Sequence, residues 1–294
     1  MKTYLFFLLF SFSSHLFAQV GVAPIQTTTF STTAVAFNSN DVTLSGTLYK
    51  PKKAHAAVVI VHGSGQEKRS DELAAKLANN GIAVLTYDKR GVGKSGGVYV
   101  GPEVGSNNID LANLNLLALD ASAAVNALHE QLNNKKLAIG LLGASQAGWI
   151  IPMVAGKTKK VNFMVIFSGP VVTTLQQLRF QFYTNGNNKF WDTHTEADAL
   201  LHINTDADRY QFAATDPQDF IQKLSTPGIW LFGAKDIQVP VALSISNLNT
   251  LQAKGKKISY QIFPELGHNT LFAKSQEPLL AAIAWIRKSR SAIK

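Results

Sequence analysis

The 294-residue chain contains no cysteine. That absence removes disulfides, thiolate metal sites and cysteine nucleophiles together. It leaves the redox compartment open, since a fold without disulfides suits an oxidising or a reducing space. Charge is sparse, at 16% of residues against 46% hydrophobic. A disordered chain would lack the apolar residues that offset chain entropy, so a folded chain is expected. Internal repeats, low-complexity tracts and flexible linkers are missing. After the first twelve residues no stretch reads as the about 18 consecutive apolar residues of a membrane helix, so no stable membrane insertion is expected. A phosphate-binding loop is missing too. Gly91 to Ser95 (GVGKS) imitates its tail, but the first glycine of that motif would fall on Asp88, whose carboxylate repels phosphate.

Acidic residues are fewer than basic ones, 19 against 28, a formal net charge of +9. A nucleic-acid surface gathers such charge on one face. Here it comes in small groups: Lys50, Lys52 and Lys53; Lys157, Lys159 and Lys160; Lys254, Lys256 and Lys257; Arg287, Lys288, Arg290 and Lys294. They sit at expected turns and near the C-terminus without interleaved aromatics, and read as solvated lysines rather than a polyanion site. No nucleic-acid partner is expected.

The first 18 residues read as a secretory signal. Lys2 gives a basic start, Tyr4 to Phe12 an apolar run, and Ala18 a cleavage position, although Leu16 is not the small residue expected two before it. Cleavage after Ala23 is the alternative. The mature protein is expected to be exported, to a periplasm or the medium, and residues 19–294 to form one α/β domain.

Within that domain, Thr27 to Phe37 and Val42 to Tyr49 alternate as a hairpin does, with Gly46 suggesting a bulge. Ala56–Val61, Ile82–Tyr87 and Leu137–Leu142 read as strands buried on both faces, the first as a continuous apolar run, and Phe163–Phe167, Gly228–Phe232 and Ile258–Phe263 read as further strands. Helical periodicity fills the intervals over Asp71–Asn80, Ile109–Leu132, Ser145–Ala155, Val241–Lys254 and Glu277–Lys288. Alternating strands and helices predict a mostly parallel sheet covered on both faces. Residues of about 171–220 differ: they are helical and polar, with no buried strand, and predict a helical cap inserted on the sheet. Phe180, Phe182, Tyr183, Phe190 and Trp191 crowd its start, either to pack it down or, for Phe182 and Trp191, to line an acyl or alcohol pocket.

Chemistry concentrates at Gly143-Ala144-Ser145-Gln146-Ala147, between a buried strand and a helix. A serine on a sharp strand-to-helix turn is strained and needs small neighbours. The turn exposes its Oγ at the carboxyl edge of the sheet and aims helix N-terminal N–H groups at whatever Oγ attacks. Taken alone, the pentapeptide fits a helix-capping serine equally well. A reactive serine also needs a base oriented by a carboxylate. Asp236, after the 228–232 strand, and His268, after the 258–263 strand, open on the same edge, in the order Ser, Asp, His. His62-Gly63-Ser64-Gly65, after the 56–61 strand, can turn backbone N–H groups toward an oxyanion.

Together HGSG at 62–65, DKRGVGKS at 88–95, GASQAG at 143–148, the Gly233–Asp236 loop and GHN at 267–269 resemble the α/β-hydrolase superfamily, over roughly residues 40–290. Within it, the long HGSG loop and the helical insertion resemble bacterial exported esterases and serine-aminopeptidase-like hydrolases. The resemblance implies an α/β-hydrolase fold with Ser145 as nucleophile, His268 as general base and Asp236 as its orienting acid. It implies an oxyanion hole from the N–H groups of Gln146 and Ser64, or Gly65 in place of Ser64. No metal or organic cofactor is needed. His62 is expected to be buried and to fix its loop, and Asp88 and Arg90 to pair with each other, with Ser95 in a turn. The expected substrate is a small-molecule ester, or a short peptide whose free amine would meet Glu196, Asp198, Asp206 or Asp208. An inactive binding protein on the same fold is the remaining reading, and such proteins are expected to have lost one of these residues.

Overall fold

The computed structural model describes residues 29–104, 108–132, 134, 136–209 and 212–289. The expected signal segment, and Arg290 and Lys294 among the basic residues, lie outside the described residues.

The chain opens with a hairpin of β1 (Phe30–Ser39) and β2 (Val42–Pro51), paired from Phe30↔Pro51 to Ser39↔Val42. Its two-residue loop puts Asn40 at φ +50°, a left-handed value that asparagine tolerates. No bulge occurs at Gly46, contrary to the sequence reading: it pairs regularly with Val35 and with Tyr87. The glycine is there because a Cβ would come within 2.7 Å of the Thr86 carbonyl.

Then follow β3 (Ala56–Val61), α1 (Asp71–Asn79), β4 (Ile82–Tyr87), α2 (Leu111–Gln131), β5 (Ile139–Ala144), α3 (Ala147–Lys157) and β6 (Val161–Phe167). Only helices lie between β6 and β7 among the described residues: α4 (Thr174–Thr184), a 3₁₀ turn at Phe190–Asp192, α5 (Glu196–Thr205) and α6 (Gln218–Ile221). The chain closes with β7 (Gly228–Gly233), α7 (Val241–Ala253), β8 (Ile258–Phe263) and α8 (Glu277–Ser289). The eight strands form one sheet in the order β1-β2-β4-β3-β5-β6-β7-β8. β2 pairs antiparallel with β1 and β4, and every other pairing is parallel.

The unbroken apolar runs have a direct cause. In β3, Ala57, Val59 and Val61 face one core with α2, α3 and α7, while Ala56, Val58 and Ile60 face another with α1 and α8. Side chains alternate across a strand, so covering both faces makes every position apolar. The same logic explains α2. By length and hydropathy it is apolar enough to cross a membrane, which the sequence reading did not register, yet it is a core helix with Leu114, Ala121, Val125 and Leu128 fully buried against the first core.

Parallel pairing brings one kind of strand end to one edge. Val61↔Gly143, Ala144↔Phe167, Phe167↔Leu231 and Gly233↔Phe263 are register partners, so the loops after β3, β5, β6, β7 and β8 open side by side. Those loops carry the residues singled out above.

Candidate active site

Ser145 follows β5 immediately and has φ +56°. A non-glycine residue held there costs of order 1–3 kcal/mol unless its surroundings fix it. They do: Ser145 N–H donates to Phe167 O at 3.0 Å, and Ser145 O accepts from Gly148 N at 2.8 Å. The small neighbours are sterically required. A Cβ on Gly143 would lie 2.6 Å from Ala147 Cβ and from Val61 O, and one on Gly148 would lie 2.6 Å from Pro170 Cδ. The capping reading of this serine loses its basis, because the residue at the helix cap is Gln146. Its N–H joins the first-turn donors of α3 that have no partner within the helix.

Asp236 and His268 meet: His268 Nδ1 lies 2.9 Å from Asp236 Oδ2. Asp236 is fully buried, and its Oδ1 accepts from Gln238 N at 2.7 Å and Val239 N at 2.9 Å. An ionised carboxylate is tolerable in that position because each oxygen has a donor. The two loops are held together by Lys235 N donating to Leu266 O at 2.8 Å and by Gly233, where a Cβ would lie 2.2 Å from Gly267 O.

A contact the sequence reading missed carries the histidine loop across β7 toward Ser145. Thr270 N donates to His268 O at 2.9 Å. The Thr270 hydroxyl is 2.8 Å from that of Ser168, and both residues are buried. Ser168 directly follows the Phe167 whose carbonyl receives the Ser145 N–H, and it too has positive φ, at +43°. Ser168 and Thr270 thus tie the end of β6 to the residue two beyond His268. A strained serine just after a buried strand is the signal that could have found this position.

The HGSG loop lies beside the Ser145 turn, with a Cβ on Gly63 3.6 Å from Ala144 O. His62 is buried, as expected, and its Nδ1 sits 3.2 Å from Glu67 Oε2, which also accepts from Gly63 N at 2.9 Å. Burial pushes the Glu67 carboxyl up, but the hydrogen bond from His62 and the Gly63 N–H leave it below the usual carboxylate range. Asn108 Nδ2 donates to Ser64 O at 2.8 Å. Ser64 is exposed and Gly65 half-buried.

The pairing expected within DKRGVGKS is different. Asp88 pairs with Arg69, not Arg90: it accepts from Arg69 N (2.9 Å), Nε (3.0 Å) and Nη2 (2.8 Å) and from Lys94 N (2.8 Å). Burial raises its carboxyl, but these donors outweigh burial and hold it well below the usual range. Arg90 instead pairs with Asp120 on α2, its Nε 2.9 Å from Oδ2. Each arginine found a closer partner on another segment, which sequence proximity does not reveal. Ser95 does shape the turn, donating to Asp88 O at 2.6 Å and accepting from Ser45 N at 3.0 Å.

The two aromatic candidates are placed differently from each other. Trp191 packs against Phe180 and Phe190, and its Nε1 donates to Asp236 O at 2.9 Å, tying the inserted helices to the acid loop. Phe182 is 42% exposed, with the Arg209 guanidinium 4.3 Å above its ring. Neither lines the cavity of about 240 Å³ between α5 and α7, which is walled by Leu200, Ile203, Pro240 and Leu243 with Glu196 and Ser246 as polar members. Three of the four acidic candidates are engaged: Asp198 with Thr195, Asp206 with His202, and Asp208 with Arg179. No group of three or more metal-binding side chains occurs among the described residues.

A sheet of this order, with helices on both faces and the loops after β5, β7 and β8 on one edge, is the α/β-hydrolase fold. Sequence comparison agrees: residues 52–192 match the family model described as serine aminopeptidase, S33. Among solved structures, an esterase of Pyrococcus furiosus superposes with TM-score 0.62 at 18% identity, covering 88% of this chain and 91% of that one. An acylaminoacyl peptidase of Pyrococcus horikoshii gives TM-score 0.62 at 15% identity, covering 88% of this chain and 41% of that one. A curated relative, acylamino-acid-releasing enzyme 1 of Oryza sativa subsp. japonica, is 34% identical over 85 residues, which is 29% of this chain and 11% of the rice protein.

Proposed function

We propose that this chain is a serine hydrolase that cleaves carboxylic esters through an acyl-enzyme. The observation that carries the reading is the strained Ser145 turn on the same sheet edge as the buried Asp236–His268 pair. In this mechanism His268 takes the Ser145 proton as Oγ attacks the ester carbonyl. Asp236 holds the imidazole with its proton on Nδ1, so that Nε2 is free to accept, and stabilises the imidazolium that forms. The oxyanion is met by backbone N–H groups of Gln146 and Ser64. His268 then protonates the departing alkoxide. Water, activated by the same imidazole, attacks the acyl carbonyl and restores Ser145. The N-terminal pattern adds the proposal that the enzyme acts outside the cytoplasm.

Cleavage of an amide at a free N-terminus is the second reading. It rests on Glu196, the one acidic candidate that is not engaged by a neighbour among the described residues and that lines the cavity between α5 and α7. A panel of p-nitrophenyl esters and aminoacyl p-nitroanilides separates the two. The ester reading predicts turnover of short and medium acyl esters at least about a hundredfold above any anilide, in kcat/KM. Preferred anilide turnover, abolished in Glu196→Gln, would replace it with the peptidase reading.

A further inference from the structure

Lys89 is the largest unexplained investment in this site. It is 2% exposed, and a lysine so buried is rare without a dedicated partner. Its Nζ lies 2.6 Å from Gly63 O, 3.3 Å from Gly65 O and 3.4 Å from Gln146 Oε1. Gln146 is anchored from its other end, Nε2 donating to Asn108 O at 2.7 Å. One ammonium therefore touches both segments from which the proposed oxyanion donors come.

The direction of those contacts matters. In a trans peptide the C=O of one residue and the N–H of the next point opposite ways. A Gly63 carbonyl turned in toward Lys89 turns the Ser64 N–H outward, away from the ammonium. The Ser64 carbonyl is itself held by Asn108, which fixes the following peptide plane independently. Without a cation beneath it, the Gly63–Ser64 plane is free to rotate, and its N–H is no longer aimed.

We infer that Lys89 is a positioning residue for the oxyanion hole, its ammonium pinning the Gly63 and Gly65 carbonyls and the Gln146 side chain so that the Ser64 and Gln146 N–H groups converge on one point. This inference rests on the proposed hydrolase reading and adds to it a residue that does not itself touch substrate.

The surroundings of Lys89 make the role pH-sensitive. Glu67 on the HGSG loop and Glu103 on the 3₁₀ turn at 102–104 favour its charged form. The Tyr99 ring lies 5.5 Å from Nζ, and His62, Arg90 and Asp120 line the same small cavity beside it. Burial outweighs the two glutamates and pulls the lysine down to about 8. Below that pH the ammonium offers three charged donors. Above it a neutral amine offers two weaker ones, so oxyanion stabilisation fades as pH rises through about 8.

Lys89→Met and the wild type, as full chains, test this with p-nitrophenyl ester kinetics from pH 6 to 10 and with backbone hydrogen exchange. The inference predicts a kcat about 10²–10³-fold lower in Lys89→Met with KM nearly unchanged. It also predicts a wild-type kcat that declines above about pH 8, a decline absent from the variant, and faster amide exchange in residues 62–67. A folded Lys89→Met with kcat within about threefold of wild type would overturn it. If Lys89→Met does not fold, Lys89→Gln, which keeps a donor without the charge, is read in its place, and a folded Lys89→Gln with wild-type kcat and wild-type exchange in residues 62–67 would overturn it. Should the wild type cleave neither ester nor anilide, the hydrolase reading fails separately. Exchange in residues 62–67 then judges the clamp by itself: unchanged protection in Lys89→Met overturns it.

Discussion

Ser145→Ala is expected to abolish ester turnover, lowering kcat by about 10⁶-fold, while leaving the protein folded. Among the described residues, the contacts that hold this residue run through its backbone, to Phe167 O and from Gly148 N. In the proposed mechanism Oγ is the atom that forms the covalent intermediate, and its loss leaves no substitute in the site. The strain gives a companion result. At φ +56° a glycine is relaxed where serine and alanine are not, so Ser145→Gly should be equally inactive but more stable than Ser145→Ala, by about 1 kcal/mol. Thermal melts alongside ester kinetics check both. An inactive variant that melts higher than the active protein is the signature of a residue kept in a costly conformation for its chemistry.

Asp236→Asn should lower kcat by about 10⁴-fold with little effect on folding. The carboxylate does two separate jobs. Oδ1 accepts from the N–H groups of Gln238 and Val239, and an asparagine carbonyl can do the same. With the amide oxygen so committed, its NH₂ faces His268 where Oδ2 stood, 2.9 Å from Nδ1. Two donors cannot face each other. The imidazole must then put its proton on Nε2, the nitrogen required to receive the serine proton. The variant is thus expected to be a folded protein with its base in the wrong tautomer. Ester kinetics with a melting curve test this, and full turnover by folded Asp236→Asn would assign the acid role elsewhere.

The contrast between what the sequence showed and what it hid has a physical reason. Strands buried on both faces declare themselves as apolar runs, so Ala56–Val61 and Ile82–Tyr87 were legible to the residue. The loop bearing Asp236 follows such a strand, the loop bearing His268 follows the edge strand paired in parallel beside it, and that pairing brings the two to one edge. Partner choice among charged side chains was not legible. Asp88 and Arg90 look like a pair along the chain, but Arg69 and Asp120, supplied by distant segments, bind them in better geometry. Gly46 was misread because a glycine in a strand signals either a bulge or a close backbone approach, and only coordinates distinguish the two. Lys89 was hidden for a further reason. A lysine beside an arginine in a polar loop reads as solvated, and its burial depends on the Gly63 and Gly65 carbonyls turning inward to meet it.

The most direct measurement is covalent labelling of the wild-type protein by a fluorophosphonate, followed by mass spectrometry of the digested adduct. The account predicts a single adduct, one phosphonyl group on Ser145, forming at a rate suppressed by prior acylation with an ester substrate. A folded wild type that stays unlabelled, or an adduct that maps to a different serine, would contradict it.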